Sequence, residues 1–271
     1  MFPPKAARQT ARPRRDEQAV VAPVAALYDI HGNLPALDAV LADVARSGVD
    51  RIVIGGDVVP GPMPRETLER LRGLGYPTDF ICGNGELAVL AEATGTDSGV
   101  PKQYREGIQW NAAQLQPSER EFLSKWPPTV GMNINGLGNV LFCHATPNNA
   151  HDVFTRLTPE HIALSLIGDL DADLMVCGHT HMQFERRIGH LRVVNVGSVG
   201  MPFGQPGAYW ALLGPGVELR HTLYDLEAAA SRLCRTRYPE AEAFAAQNVL
   251  WPPSEQQMLE AFNRPNPYEG S

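Results

Sequence analysis

The stretch PTDFICGNGELAVLAE, Pro77–Glu92, decides how this chain is read. Phe80, Ile81 and Cys82 are the apolar end of a buried strand, and Leu87–Leu90 open a helix. Between them stands Gly-Asn-Gly-Glu. A strand handed to a helix through a short polar turn is the repeating unit of a layered α/β domain with parallel strands. The same arrangement recurs upstream. Val21–Tyr28 is a short Val- and Ala-rich strand. A helix follows over Leu34–Ala45, with Leu34, Leu37, Leu41 and Val44 at helical spacing. Arg51–Ile54 is a second strand, Arg65–Leu74 a helix with Leu68 and Leu71 on one face, and Thr78–Cys82 a third strand.

Downstream the pattern changes. Two helices are expected at Lys102–Leu115 and Ser118–Lys125. Ser118 and Glu121 fit a capping box for the second, and Pro127-Pro128 stops it. Trp110 and Trp126 belong either to the core or to a cover over a site. Thr129–Ile134 and Asn139–Phe142 flank Asn135-Gly136, a hairpin dipeptide. Further strands are expected at Asp173–Cys177, Gln183–Ile188, Leu191–Val194, Ala208–Leu213 and Val217–Leu223. The second half is therefore strand-rich and partly antiparallel. The fold class is α/β: two mixed β-sheets packed face to face with helices on the outer faces, in four α/β/β/α layers. A basic, disordered tail over 1–20 precedes a domain over 21–225. A helical extension over 226–271, broken at Pro239 and Pro252-Pro253, packs on that domain.

The chain has 271 residues, 44% of them hydrophobic, enough for one large domain with a real core. Its net charge of −7 argues against a nucleic-acid platform. Cys82, Cys143, Cys177 and Cys234 show neither metal-type nor disulfide-type spacing. They read as reduced thiols in a cytoplasmic protein. The Arg14-Arg15 pair leads into an apolar run too short for an export signal. No window approaches the roughly 20 apolar residues of a membrane span, so no membrane partner is expected. The oligomeric state stays open.

Five pieces fall at strand ends: Asp29-Ile30-His31, Gly56-Asp57, Gly83-Asn84, Cys143-His144 and Gly178-His179-Thr180-His181. Each alone is an ordinary turn. Together they line the edge formed by the carboxyl ends of the strands, where α/β sheets build their sites. Two Asp, one Asn and four His offer oxygen and imidazole ligands without a thiolate. That set suits Mn, Fe, Zn, Co or Ni rather than Ca or a structural Zn site. Seven groups exceed one open site and fit two metals sharing a carboxylate.

With these residues the chain resembles the calcineurin-like metallophosphoesterases. The matching pieces, Asp29-Ile30-His31-Gly32-Asn33, Gly56-Asp57, Gly83-Asn84, His144 and Gly178-His179-Thr180-His181, keep the family's order. Asn195-Val196-Gly197-Ser198-Val199-Gly200-Met201-Pro202 looks like the small bacterial and archaeal phosphodiesterase branch. The resemblance implies a dinuclear centre with Mn favoured. Asp29, His31 and His181 would hold one divalent ion, Asn84, His144 and His179 the other, and Asp57 would bridge them. It implies hydrolysis of a phosphodiester or phosphoanhydride in a small phosphorylated substrate by a metal-bound hydroxide, with Asp57, Asn84 and His144 at the reacting atoms. Other readings are a dinucleoside polyphosphate hydrolase, a phosphoprotein phosphatase, or a non-catalytic scaffold on the same fold, as a retromer subunit is.

Four residues carry finer expectations. Asn33 is either a phosphate contact or the cap of the helix that follows. Glu86 is a favourable charge at a positive helix end. Gly85 stands where many members of the family carry a His that protonates the leaving oxygen. Its absence favours good leaving groups, with His151 as the candidate substitute and substrate contact. A positive φ at Gly85 is one expected reason for the glycine.

Overall fold

The structure is a computed structural model describing residues 23–263. The expected basic tail at 1–20 and the end of the C-terminal extension at 264–271 lie outside the described residues. In chain order the elements are β1 (Val24–Leu27), α1 (Leu34–Arg46), β2 (Arg51–Ile54), α2 (Pro64–Arg72), β3 (Thr78–Phe80), α3 (Asn84–Ala93), α4 (Lys102–Gln114) and α5 (Pro117–Leu123). Then come β4 (Thr129–Ile134), β5 (Gly138–Cys143), α6 (Glu160–Ile167), β6 (Leu174–Cys177), β7 (Gln183–Ile188), β8 (Leu191–Val196), β9 (Ala208–Leu213) and β10 (Val217–Thr222). The chain closes with α7 (Leu226–Cys234), α8 (Ala241–Phe244), a π-helical segment (Ala245–Leu250) and α9 (Glu255–Phe262).

Two five-stranded sheets form, in the orders β10-β9-β1-β2-β3 and β4-β5-β6-β8-β7. In the first sheet β1, β2 and β3 are parallel, and β9 and β10 run antiparallel at one side. In the second, β5, β6 and β8 are parallel, flanked by antiparallel β4 and β7. Period-two alternation assigns each strand's side chains to opposite faces. Val24 and Ala26 of β1 pack with Val140, Phe142, Val176 and Val194 between the sheets. Ala25 and Leu27 join the outer core with Leu37, Val40 and Leu68 of α1 and α2. On the far side Met175, Cys177 and Val193 meet Ala163 and Ile167 of α6. The result is the expected α/β/β/α layering. From the C-terminal segment, Ala229, Leu233, Phe244 and Val249 are buried in the same core as the first helices.

Two local expectations change. The helix after Gln116 starts at Pro117, one residue before Ser118, because proline's fixed φ suits the first helical position. Its capping carboxylate is therefore Glu119, which accepts the Gln116 N–H at 2.6 Å, and not Glu121. Helix α6 was not expected: EHIALSLI lacks a clean apolar stripe, with Ile162 and Leu164 exposed.

Cys143 is fully buried and sits in the cluster with Cys177, Phe154 and Phe184, on the face away from the next residue, His144. Cys143→Ala is expected to keep metal content while lowering stability by about 1 kcal/mol, as small core truncations do. Denaturant unfolding beside a metal assay checks it, and a collapse of metal binding at unchanged stability would contradict it.

Candidate metal centre

The ligand candidates come from both sheets. Asp29, Asp57 and Asn84 follow β1, β2 and β3, while His144 follows β5 and His179 and His181 follow β6. All seven converge. Asp29, His31 and His181 form one group of metal-capable side chains, and Asp57, His144 and His179 a second. Asn84 joins the second, its Oδ1 2.9 Å from His144 Nε2. Asp57 spans the two groups, with Oδ1 3.5 Å from His144 Nε2 and Oδ2 3.6 Å from His31 Nε2.

Backbone conformation aims these side chains. Asp29, His31, Asp57, His179 and His181 all have positive φ, between 47° and 66°, and among the described residues they are the non-glycines that do. This left-handed region costs a side chain of order 1–3 kcal/mol. It turns the chain sharply at each strand end.

Proton bookkeeping shows what the cavity wants. A backbone carbonyl only accepts, so an imidazole nitrogen facing one carries the hydrogen. His31 Nδ1 donates to the Pro60 carbonyl at 3.2 Å, His144 Nδ1 to Gly55 at 2.9 Å and His181 Nδ1 to Met201 at 2.7 Å. Their Nε2 atoms are left as bare acceptors. His31 Nε2 faces His181 Nε2 at 3.4 Å, and His181 Nε2 faces Asp29 Oδ1 at 3.3 Å. Asp29 Oδ1 is buried without a hydrogen-bond donor. His144 Nε2 meets Asn84 Oδ1 and, at 3.2 Å, His179 Nδ1. Lone pairs crowded this closely repel unless cations sit among them, so the donor set fits divalent metals. Histidine ligands fixed through the other nitrogen by carbonyls follow the usual pattern of metal sites.

The electrostatics agree. Burial holds His31 below its ordinary pKa, and burial with the neighbouring His144 pulls His179 down to about 4. Both are therefore neutral and ready to bind at pH 7. Burial alone would raise Asp29, but His181, His144 and His31 hold its carboxyl well below the usual range. Burial opposes charge on His144, yet Asp57 and Asp29 draw its pKa upward.

Glu86 sits in the first turn of α3 as expected, and it reaches further than the helix end. Its carboxylate is fully buried and accepts four backbone N–H groups. They come from Gly83, Asp57 and Val58 at 2.8 Å each and from Val59 at 3.1 Å. It thus ties the turn after β2 to the start of α3, fixing Asp57 against Asn84. Burial and Asp57 push its pKa up to about 7, against the pull of the Val59 and Gly83 amides.

Gly85 has no positive φ, so the expected backbone reason fails. Its reason is close approach. A Cβ there would lie 2.2 Å from the Val59 carbonyl and 2.9 Å from Asp57 Oδ1, which the Gly85 N–H meets at 2.7 Å. Asn33 is the helix cap: Oδ1 accepts the Ala36 N–H at 3.2 Å and Nδ2 donates to Gly200 at 3.0 Å. It is fully buried and so does not present its amide to a phosphate. His151 is exposed, and its backbone bonds to Asn149 rather than to the centre. The structure does not bring it among the ligands. Trp126 is buried and Trp110 half-buried; Trp126 packs against Phe80 and Phe122.

The stretch Asn195–Pro202 braces the centre. Asn195 Nδ2 donates to the Gly178 carbonyl at 2.6 Å, and Ser198 Oγ to the Asp29 carbonyl at 2.8 Å. Phe203, missed in the sequence, stacks on His181 at 5.2 Å between ring centroids and contacts Phe262 of α9. No helix among the described residues is long and apolar enough to cross a membrane.

Residues 23–214 match the model of the calcineurin-like phosphoesterase superfamily domain. An uncharacterized protein of Methanocaldococcus jannaschii is 28% identical over 239 residues, spanning 80% of this chain and 94% of the relative. A metallophosphoesterase from Sphaerobacter thermophilus aligns at 25% identity with a TM-score of 0.66, covering 84% of this chain and 100% of that one. A hypothetical protein from Pyrococcus horikoshii shares the fold at 19% identity and a TM-score of 0.71, over 86% of this chain and 100% of its own.

Two substitutions test the centre. Asp57→Asn is expected to lower the content of both metals, whereas His181→Ala depletes mainly the first group; elemental analysis of purified protein distinguishes them. Wild-type metal content in Asp57→Asn would remove the shared-ligand assignment. Gly85→Ala is expected to cost about 1–3 kcal/mol through overpacking against Val59 and to weaken metal retention, and Gly85→His should fare no better. A Gly85→His protein as stable as wild type in thermal melts would show that the approach is not tight.

Proposed function

The chain belongs to the calcineurin-like phosphoesterase superfamily, and on that footing we propose that it is a dinuclear metal-dependent hydrolase of phosphodiester or phosphoanhydride bonds in a small phosphorylated substrate, with Mn²⁺ the favoured ion. The observation that carries this reading is the pair of ligand groups whose bare acceptors face one another across a shared Asp57.

Asp29, His31 and His181 would hold one ion, and Asn84, His144 and His179 the other. Divalent ions in such a pair supply Lewis acidity and an activated water. The protein's own residues do the rest. Asp57 holds the two groups in register through one oxygen each. Asn84 contributes a neutral amide oxygen, so two carboxylates stand against two divalent ions and the loaded centre stays cationic. That favours an anionic phosphate although the whole chain carries −7. The carbonyls of Pro60, Gly55 and Met201 keep three imidazoles in the binding tautomer.

Proton supply to the leaving oxygen is the weak point of this centre. Gly85 offers no side chain, and His151 lies exposed outside the ligand group. General acid help is typically worth about 10²–10⁴-fold. Without it, the reaction favours groups that leave as stable anions.

The Mn²⁺-loaded protein is expected to hydrolyse bis(4-nitrophenyl) phosphate at least about 10²-fold more efficiently, in kcat/KM, than an alkyl phosphomonoester. A steady-state panel of diesters, monoesters and dinucleoside polyphosphates reads this directly. Equal efficiency on alkyl monoesters would mean that a proton donor has been overlooked. No turnover of any substrate by metal-replete protein would overturn the enzymatic reading.

A further inference from the structure

Beside the ligands lies a cleft of about 400 Å³, lined by Leu87, Leu90, Leu123, Trp126 and Pro147 and by the ligand candidate His144 itself. Its size falls within the range of small-molecule sites. It opens where the two sheets meet at their edges. β3 and β4 are edge strands, and the Cys82 N–H donates to the Pro127 carbonyl at 2.9 Å to join them.

The lining is apolar by construction. Asn84, Leu87 and Leu90 are spaced three apart on α3 and so run along one side of it, leading from the metal ligand into the cleft. Leu87 is 46% exposed, a large apolar side chain left open beside a polar centre. Trp126 is held in place by stacking on Phe80 at 4.8 Å and by the edge of Phe122.

Four polar side chains around the cleft are already engaged elsewhere. Ser124 Oγ donates to the Glu121 carbonyl at 2.9 Å, and Thr146 Oγ1 to Asp152 at 2.7 Å. Asn148 Nδ2 donates to the carbonyls of Leu166 and Ile167, and Asn149 Nδ2 to Asp152. Among the described residues no Lys, Arg, Asp or Glu lines it.

We propose that this cleft receives the uncharged organic group of a phosphate ester, an aromatic ring of aryl or nucleobase size, while the phosphoryl group lies at the metal ligands. The proposal rests on the phosphoesterase reading and narrows it. A second or third phosphate would bring charge into a cleft that no Lys or Arg lines and whose one buried, unpartnered side-chain donor, Trp126 Nε1, is neutral. The cleft therefore selects an ester with an apolar substituent over a polyphosphate chain.

Phosphonates of equal charge isolate the ring. By calorimetry, phenylphosphonate is expected to bind the Mn²⁺-loaded protein about tenfold more tightly than methylphosphonate, as burial of one ring's apolar surface allows. Leu87→Ser removes lining, and Ala150→Phe fills the cleft. Each is expected to cut that ratio to about threefold or less in protein with wild-type melting temperature and metal content. Equal affinity for the two phosphonates, or a ratio unchanged in both variants, overturns the cleft assignment and leaves the phosphoesterase reading standing. Failure of both phosphonates to bind metal-loaded protein overturns both.

Discussion

The Glu86 carboxylate gathers four backbone N–H groups, and most of the centre's geometry depends on that one set of bonds. Three of the amides belong to the turn after β2 and one to the turn after β3. A buried carboxylate is costly to desolvate, and it stays in place only when its acceptor sites are filled. Here the filling groups are the backbone of the two loops that carry Asp57 and Asn84. The acid therefore fixes Asn84 and Asp57 relative to each other through backbone alone. Gly85 completes the arrangement, because only a residue without a Cβ lets α3 come this close to Val59.

The ligands themselves are held at a cost. Five of the seven candidates sit in left-handed backbone conformations, and bare nitrogen and oxygen acceptors crowd within a few ångströms. Both terms oppose folding of the metal-free chain. They are offset by the large apolar core between and outside the sheets and by the braces from Asn195, Ser198 and Gly200. Binding of cations relieves the crowding, so metal affinity and fold stability are thermodynamically linked.

How much was legible in the sequence follows from what each feature depends on. Short apolar runs and polar turns are local signals, so the strands and the four layers could be read from the chain. The convergence of the candidate ligands could be read too, because Asp, Asn and His at strand ends are recognisable by type and place. Glu86 could not: an acid in the first turn of a helix is ordinary, and its burial follows from loop contacts 27 to 29 residues away. Phe203 was silent for the same reason, since it acquires meaning only by stacking on His181, 22 residues earlier. Asn33 offered two readings that sequence could not separate, and the Gly200 carbonyl, 167 residues on, decides between them. His151, seven residues after His144, stands exposed and apart from the metal-capable groups, since closeness in sequence does not by itself bring a side chain among them. Helix α6 was hidden by its exposed Ile162 and Leu164, which blur the 3.6-residue period.

The centre also acts as a clasp between the two sheets. Asp29, Asp57 and Asn84 hang from one sheet, and His144, His179 and His181 from the other. Neither sheet alone holds a complete ligand group, since Asp29 needs His181 and Asn84 needs His144. Across the same seam the Tyr28 hydroxyl donates to the Val176 carbonyl at 3.1 Å, and the His179 N–H to Asp29 Oδ2 at 2.9 Å. The apolar contact between the sheets is non-directional and would tolerate a small slide. The polar contacts at the seam would not, because hydrogen bonds and coordination demand fixed distances. The hydrophobic layer thus supplies most of the adhesion, while the ligand edge sets the register in which the two sheets meet.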